Sequence, residues 1–532
     1  MHRKGFLYIT VLVAVTVLIT LPSVAELQNV QVGGQVRIRG SFWHQSFDTR
    51  FAPWLVGPAL RIPSSMFRAR PIGDAFGGQN VMSYWDWNSR GSDYRLIEQR
   101  TTLNVTADFT DLVTAFIELE SFDLWGEDFR SDYVTGVDRR AATADDVEVY
   151  QSYVEAAELF GTPLRLRIGR QELAFGSQWL IGTGSRFPEF RGNSFDAVRL
   201  TYGGDSYSAD LFWAKLAENS PFEEDSDIDL YGLYGSCMAV ENWTFDAYWF
   251  WVRDARAVKD TNLGLIGEWI EDVVGVDDYD PTNLHTVGLR ASGTMGAFDL
   301  ETEAAYQFGD AGQVGALFKP FTYGDDDAEF DSWAADAEVG YRFDIAWQPR
   351  IYLGGAYFSG EDNRDVNFWQ WLFPFNRAKA SVSFNRLFSN RVYSPILDEI
   401  GALSNFWAVR GGIEASPTEK IDLKLNVAYY ESVEQFDQPI PRPLYWKDFV
   451  IVLSHPFSFL NTESDAELGW ETDLTATYRY SEDLSFEAGW AHLFAGDGLT
   501  DGNYVDLHGL MFSGGTSDKD ADYFYWEGRL CF

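Results

Sequence analysis

Cysteine is nearly absent from this sequence, which holds only Cys237 and Cys531 in 532 residues. Two cysteines exclude a disulfide framework, and we expect both thiols to be unpaired because the alternation described below places them on strands far apart. Basic residues are also scarce, with 41 Lys and Arg against 80 Asp and Glu and a formal net charge of −39. Nucleic-acid partners need clustered Lys and Arg to neutralise phosphate, so this balance argues against a nucleic-acid ligand.

Histidine is rare, and none of the six histidines lies in a recognisable catalytic or metal-ligand spacing. A Cys-x-x-Cys-His haem site is missing as well. The acidic runs at 223–227, 277–280 and 325–329 lack EF-hand spacing, and we interpret them as solvated loop rims, with a divalent-cation site as the alternative. We therefore expect no enzyme activity, no catalytic residues, no metal site and no cofactor. The histidines that follow the N-terminal segment are scattered: His44, His285, His455, His492 and His508.

Long apolar runs are missing after the N-terminus. The run at 5–21 follows Met-His-Arg-Lys and precedes Pro-Ser-Val-Ala, with small residues at the positions that a signal peptidase reads. We expect residues 1–25 to be a signal peptide cleaved after Ala25, with an uncleaved anchor as the alternative. No Pro-, Ser- or Gly-rich tract divides the remainder, so residues 26–532 are expected to form one domain.

What the sequence does have is alternation of apolar and polar residues with a period of two. The stretch 103–109 alternates, turns at Thr110-Asp111 and alternates again over 113–120, which describes a hairpin with one face in lipid. Eight short turns of this kind alternate with nine longer connections along the chain. We therefore predict an all-β fold, a single transmembrane antiparallel β-barrel of about 18 strands with short periplasmic turns and long extracellular loops.

The C-terminal segment supports an outer-membrane location. Phe524, Trp526, Leu530 and Phe532 fall on one face of a final amphipathic strand. A terminal Phe resembles the signal through which outer-membrane barrels are recognised by the barrel-assembly machinery. Aromatic residues make up 16% of the chain at a mean hydropathy of −0.21, as expected for strands that alternate lipid-facing and water-facing residues. We expect a cell outer membrane of Gram-negative type, with its lipid and the assembly machinery as partners.

A barrel of this size is too wide for side chains to fill, so an aqueous lumen is expected. The segment 164–175 changes phase near Gly169, and a β-bulge at that glycine would turn three arginines and Glu172 inward. Guanidinium groups suit sugar hydroxyls or carboxylates, whereas pairing with acids across strands would only stiffen the wall. The residues expected to line the pore or to contact solute are Arg100, Arg165, Arg167, Arg170, Glu172, Arg199 and Arg410.

The connection 361–403 is long, aromatic and locally basic. Arg377, Lys379, Arg386 and Arg391 follow one another in it with no acidic residue between them. Such a loop either folds into the lumen and sets its constriction or caps the barrel from outside. We take these four residues as candidates for a constriction loop and leave both arrangements open.

Three stretches resemble the alginate export family. They are Gly-Arg-Gln-Glu-Leu-Ala-Phe-Gly at 169–176, Trp-Leu-Ile-Gly at 179–182 and Ser-Phe-Asp-Ala-Val-Arg-Leu at 194–200. The resemblance implies an 18-stranded outer-membrane barrel, and the best-known member of the family secretes the anionic polysaccharide alginate through an arginine-lined pore. We expect a channel for a hydrophilic solute, and the resemblance implies an anionic polysaccharide or oligosaccharide as a candidate. The alternatives are a general cation-preferring porin and a barrel that sheathes a partner protein.

Overall fold

The computed structural model describes most of the chain. It covers residues 27–44, 47–48, 86–87, 93–126, 147–184, 190–218, 227–255, 281–310, 329–360, 383–398, 403–435, 438–439, 444–446, 449–451, 461–462, 465–501 and 520–532. The expected signal peptide at 1–25, two of the candidate constriction residues, Arg377 and Lys379, and most of the acidic runs lie outside the described residues.

Eighteen antiparallel strands form one closed barrel. They are β1 Asn29–His44, β2 Tyr94–Thr110, β3 Val113–Leu124, β4 Glu148–Ala156, β5 Leu164–Gln171, β6 Phe195–Gly203, β7 Tyr207–Ala217, β8 Ile228–Cys237, β9 Trp243–Asp254, β10 Thr282–Met295, β11 Phe298–Asp310, β12 Glu329–Arg342, β13 Arg350–Phe358, β14 Phe406–Thr418, β15 Ile421–Ser432, β16 Glu467–Arg479, β17 Leu484–Ala495 and β18 Ala521–Cys531. Each strand pairs with its neighbours in sequence, and β1 also pairs with β18, which closes the sheet. The predicted fold and strand number are confirmed.

Smaller elements occur outside the barrel wall. Three ribbons pair Phe47–Asp48 with Asp86–Trp87, Gln438–Pro439 with Asn461–Thr462, and Leu444–Trp446 with Phe449–Ile451. A 3-10 turn at Leu159–Gly161 joins β4 to β5, and a helix α1 at Asp497–Asp501 follows β17. Among the described residues, no helix has the length and apolar character needed to cross a membrane. Both cysteines are free, with Cys237 on β8 and Cys531 on β18.

The strands sort their side chains between lipid and lumen. On β11, Tyr306 and Phe308 are exposed on the outer surface, while the alternate residues Glu303 and Gln307 are buried on the inner one. Short connections gather at one end of the barrel, as between β2 and β3, and long ones at the other. We call these the turn end and the loop end. Inward positions include aromatic residues such as Phe358 as well as polar and charged ones, so the interior has both apolar and hydrophilic surfaces.

The expected β-bulge at Gly169 is wrong. The pairing runs without a shift through Gly169, which lies between Tyr153 on β4 and Ala197 on β6. The extra residue is Tyr150 on β4, since β3 pairs with Gln151 and then with Val149. Alternation in the sequence indicates that a phase change exists nearby. It does not indicate which of the two paired strands contains the additional residue.

Gly169 is nevertheless a position where only glycine fits. Its φ is +128°, and a Cβ atom there would lie 2.3 Å from the carbonyl oxygen of Ser152. Because β5 keeps its alternation, Arg170 stays on the outer face with Ile168 and pairs with Asp196 over 2.8 Å. The three-arginine interior ridge expected on β5 is therefore reduced to Arg165 and Arg167.

Candidate functional site in the barrel interior

Residues 172–184, which we call the first inward segment, leave β5 at the loop end and cross the interior. Ser177 donates its hydroxyl to Glu303 on β11 over 2.9 Å. Further along, the Trp179 indole packs on Phe358 of β13 with ring centroids 5.7 Å apart. The segment therefore reaches the wall far from the strand that it leaves.

Apolar burial explains this course. Leu173, Trp179 and Leu180 are almost completely buried, and Phe175 stacks on Phe212 at 5.1 Å. Burying side chains of this size contributes roughly 1.5–3 kcal/mol each. Sequence reasoning did not predict this segment, although a run of large apolar residues beyond the end of a strand was the signal that could have revealed it.

Residues 383–398, the second inward segment, make up most of the described part of the 361–403 connection and also lie inside the barrel. Tyr393 donates its hydroxyl to Asp336 on β12 over 2.8 Å, and Ser394 donates to Glu471 on β16 over 2.6 Å. Both acceptors face the lumen. Of the two arrangements left open above, the described residues adopt the inward one.

The two inward segments join each other. Ile181 and Phe388 form a parallel bridge, in which the Phe388 amide donates to the Leu180 carbonyl over 2.9 Å. The Trp179 indole donates to the Tyr393 hydroxyl over 2.8 Å. Burial holds the pKa of that hydroxyl well above its ordinary value, so it stays protonated. Together the two segments form a partition that narrows the lumen.

Another interior contact lies at Phe190, which follows the first inward segment in the chain and packs against β1 and β3. The guanidinium groups of Arg37 and Arg39 lie over its ring, 4.4 and 4.6 Å from the centroid, and Phe122 of β3 packs beside it at 6.3 Å. Both arginines face inward from β1 and are buried. They were missing from the sequence candidates, although the alternation Val36-Arg37-Ile38-Arg39 carries the same signal as Arg165 and Arg167.

Four of the arginines expected in the pore face the lumen in ion pairs. These pairs are Arg100 with Glu120 at 2.7 Å, Arg167 with Glu155 at 2.7 Å, Arg199 with Asp210 at 2.8 Å and Arg410 with Asp336 at 2.9 Å. Each pair joins neighbouring strands or strands close in the ring, so these arginines stiffen the wall. Their carboxylate partners also lower the net positive charge that a solute would meet.

Arg165 and Glu172 differ from that set. The Arg165 side chain is 50% exposed, and its nearest described carboxylate, Glu155, is 3.8 Å away. Glu172 accepts a hydrogen bond from the Tyr150 hydroxyl over 2.6 Å, and burial raises the pKa of its carboxyl above the ordinary value. Arg165 thus keeps donors available to the lumen, whereas Glu172 fixes the start of the first inward segment.

The described constriction candidates separate into two kinds. Arg386 is fully buried, pairs with Asp398 at 3.1 Å and donates to the Leu403 carbonyl over 3.1 Å. This residue holds its own segment together and does not face a solute, which corrects the expectation for it. Arg391 is 32% exposed and lies 3.8 Å from Asp336 and 3.7 Å from Glu338. Of the described pair, Arg391 is the one at the surface of the partition.

A ring of partly exposed ion pairs follows the lumen wall between the partition and the turn end. Its members include Arg167 with Glu155, Arg350 with Asp299, Lys424 with Glu414, Arg479 with Asp422, and Arg529 with Glu527. No group of three or more His, Cys, Asp or Glu side chains in the described part of the chain is arranged to hold a metal ion.

No curated protein matches the chain. Among solved structures, OccK8 (OprE) of Pseudomonas aeruginosa has 11% identity and a TM-score of 0.45, covering 94% of this chain and 98% of that one. OpdO of the same organism has 10% identity and a TM-score of 0.45, with 94% and 97% covered. An anion-selective porin from Comamonas acidovorans has 11% identity and a TM-score of 0.38, with 95% and 99% covered.

A family model gives the decisive match. The model described as alginate export matches residues 87–512, which is most of the chain and includes both inward segments. The family and the closed barrel together indicate a transport protein of the Gram-negative outer membrane. This chain therefore belongs to the alginate export family and forms an 18-stranded outer-membrane channel.

Proposed function

We propose that the channel passes a hydrophilic saccharide, and that an acidic polysaccharide or oligosaccharide is its solute class. The family description supports this class. The ring of partly exposed ion pairs between the partition and the turn end supports it too. Saccharide hydroxyls both donate and accept hydrogen bonds, and a guanidinium–carboxylate pair offers both functions without a large net charge that would trap the solute.

The observation that carries the proposal is the exposure of Arg165 beside Arg167. Arg167 is held by Glu155 and lies over the Tyr153 ring, 4.2 Å from its centroid. Arg165, one step nearer the turn end, is half-exposed and only loosely approached by Glu155. A uronate carboxylate passing along this wall meets a fixed aromatic surface and a guanidinium with donors to spare.

A matched pair of variants on β5 tests this. Arg165 and Arg170 belong to one strand and have similar exposure, at 50% and 45%, but face the lumen and the outer surface respectively. Oligouronate added to a planar bilayer should block the wild-type current. Arg165→Gln should raise the half-blocking concentration about tenfold, as loss of one charge-assisted hydrogen bond implies.

Arg170→Gln should leave the block unchanged, and a neutral oligosaccharide of the same length should respond to neither substitution. If both substitutions change the block equally, or if Arg165→Gln does not change it, the proposed contact between Arg165 and the uronate is contradicted.

A general cation-preferring porin is the second candidate. Glu118 accepts from the Gln151 amide over 2.7 Å, and Glu487 accepts from the Tyr525 hydroxyl over 2.7 Å. Neither carboxylate has a cationic side chain within 4 Å among the described residues, so both leave negative charge in the lumen. The reversal potential in a salt gradient separates the candidates. Anion preference supports the acidic saccharide, and strong cation preference supports the second candidate.

A barrel that sheathes a partner protein is less well supported. Such a barrel needs an open interior, and the two inward segments occupy it.

A further inference from the structure

Two carboxyl groups lie together beneath the second inward segment. Glu471 and Asp473 face the lumen from β16, with Asp473 in hydrogen-bonding reach of Glu471. Ser394 donates to Oε2 of Glu471 over 2.6 Å, and Asn426 donates to Oδ2 of Asp473 over 2.9 Å. The backbone amide of Ile396 also approaches Glu471, but it donates to the Ser394 hydroxyl over 3.2 Å. The other two oxygens, Oε1 of Glu471 and Oδ1 of Asp473, are buried and accept no hydrogen bond. The pair thus has two acceptors and no donor between them.

The neighbouring strands do not compensate the pair. On β17, the register partners of Glu471 and Asp473 are Leu493 and Ala491, which carry no charge. On β15, Lys424 acts on Asp473 through its charge, but it is 51% exposed and pairs with Glu414 at 3.2 Å. Among the described residues, no cationic side chain approaches either carboxyl within 4 Å.

The remaining charged and titratable groups around the pair are already engaged. They are Tyr430 of β15, Arg410 of β14, and Arg386, Tyr393 and Asp398 of the second inward segment. Arg386 is held by Asp398 at 3.1 Å, and Arg410 by Asp336 at 2.9 Å. The Tyr430 hydroxyl donates to the Tyr393 carbonyl over 2.6 Å. None of these groups supplies the missing donor.

Two carboxylates in contact and removed from water cannot both be ionised without a counter-charge. We propose that Glu471 and Asp473 share one proton, and that the protonated pair locks the second inward segment in the lumen. The proton forms the hydrogen bond that the two remaining oxygens lack. Its loss leaves two negative charges under the segment, where they repel each other and draw in water. The Ser394 contact then breaks and the segment leaves the wall.

This protonated pair is independent of the solute class proposed above. It requires only that the second inward segment narrows the lumen. The test is single-channel conductance in planar bilayers with EDTA, scanned from about pH 4 to about pH 10, a range that spans the titration of carboxyl groups. The wild-type conductance should step upward as the pH rises.

Glu471→Gln and Asp473→Asn should each abolish the step and keep the low conductance throughout. In either variant an amide N–H replaces the proton as the donor between the two groups. Glu487→Gln is the matched control, since this lumen carboxylate lies on β17 and is held by Tyr525 and Thr477; it should keep the step. Heat-modifiable migration on gels checks that every variant forms a barrel.

A wild-type conductance without a step would overturn the lock, as would a step that survives in both pair variants. A step that follows added Ca²⁺ at fixed pH would also overturn it, in favour of a bound cation. Block by oligouronate, measured at one pH in the same bilayers, reports on the solute class independently. If oligouronate blocks the channel but the conductance shows no pH step, the proton-sharing proposal fails and the saccharide proposal stands.

Discussion

The Trp179 indole donates a hydrogen bond to the Tyr393 hydroxyl over 2.8 Å, although the two residues are 214 positions apart in the chain. Tyr393 in turn donates to Asp336 on the barrel wall over 2.8 Å. One hydroxyl, acting as acceptor and donor, therefore links the first inward segment, the second inward segment and β12. The partition across the lumen depends on this junction.

Trp179→Phe should loosen the partition and leave the barrel intact. The substitution removes the donor to Tyr393 but keeps an aromatic ring on Phe358, and a buried hydrogen bond of this kind contributes about 1–3 kcal/mol when one partner is lost. We expect higher and noisier single-channel conductance. Trp213→Phe is the control, because its indole donates to Asp229 on the outer face; a similar change there would show that the effect does not arise in the partition.

Gly169→Ala should impair barrel formation. The new Cβ would meet the Ser152 carbonyl in a backbone conformation that favours glycine, at a cost of about 1–3 kcal/mol. Gly203→Ala is matched to it, because Gly203 lies in the adjacent strand and a Cβ added there would have no atom within 4 Å. The heat-modifiable fraction on gels should fall only for the first. Equal folding of the two variants would contradict the steric account.

The mature protein should begin at Glu26. Residues 22–25 present small side chains where signal peptidase reads, and mass spectrometry of the protein purified from outer membranes measures the N-terminus. Ala25→Arg, which places a large charged residue at the cleavage position, should cause the unprocessed chain to accumulate. A purified protein that retains residues 1–25 would support the alternative of an uncleaved anchor.

Deleting Phe532 should reduce assembly in cells more than refolding in detergent. Its backbone forms two hydrogen bonds with Gly34, of 2.9 and 3.1 Å, at the β18–β1 closure, while its side chain points outward and is 61% exposed. A loss in cells alone indicates recognition by assembly machinery. An equal loss in both settings would indicate that the residue only closes the barrel. Phe524→Ala, an outward Phe on the same strand, serves as the control.

Much of the wall could be predicted from the sequence because lipid and lumen impose a period of two. Glu303 and Tyr306 on β11 fall on opposite faces as alternation requires. Arg170 was misplaced because a phase change in one strand does not identify which paired strand holds the extra residue. Here Tyr150 holds it.

The partition could not be predicted in the same way. Leu173 and Phe175 continue an alternating pattern beyond β5, so they look like more strand, although they are buried in the lumen against other segments. Arg386 looked basic within its local window, but Asp398 lies 12 positions further on and neutralises it. The sequence pattern indicates that a side chain will be buried, but it does not indicate which distant residue will pack against it.

The most direct test of the account is the single-channel conductance of a variant in which residues 361–403 are replaced by a short Gly-Ser linker. This connection joins β13 to β14 at the loop end, so the barrel wall is unchanged and the second inward segment is gone. A stable channel with conductance clearly above that of the wild type is expected. Unchanged conductance in a correctly folded barrel would contradict the claim that the inward segments narrow the lumen.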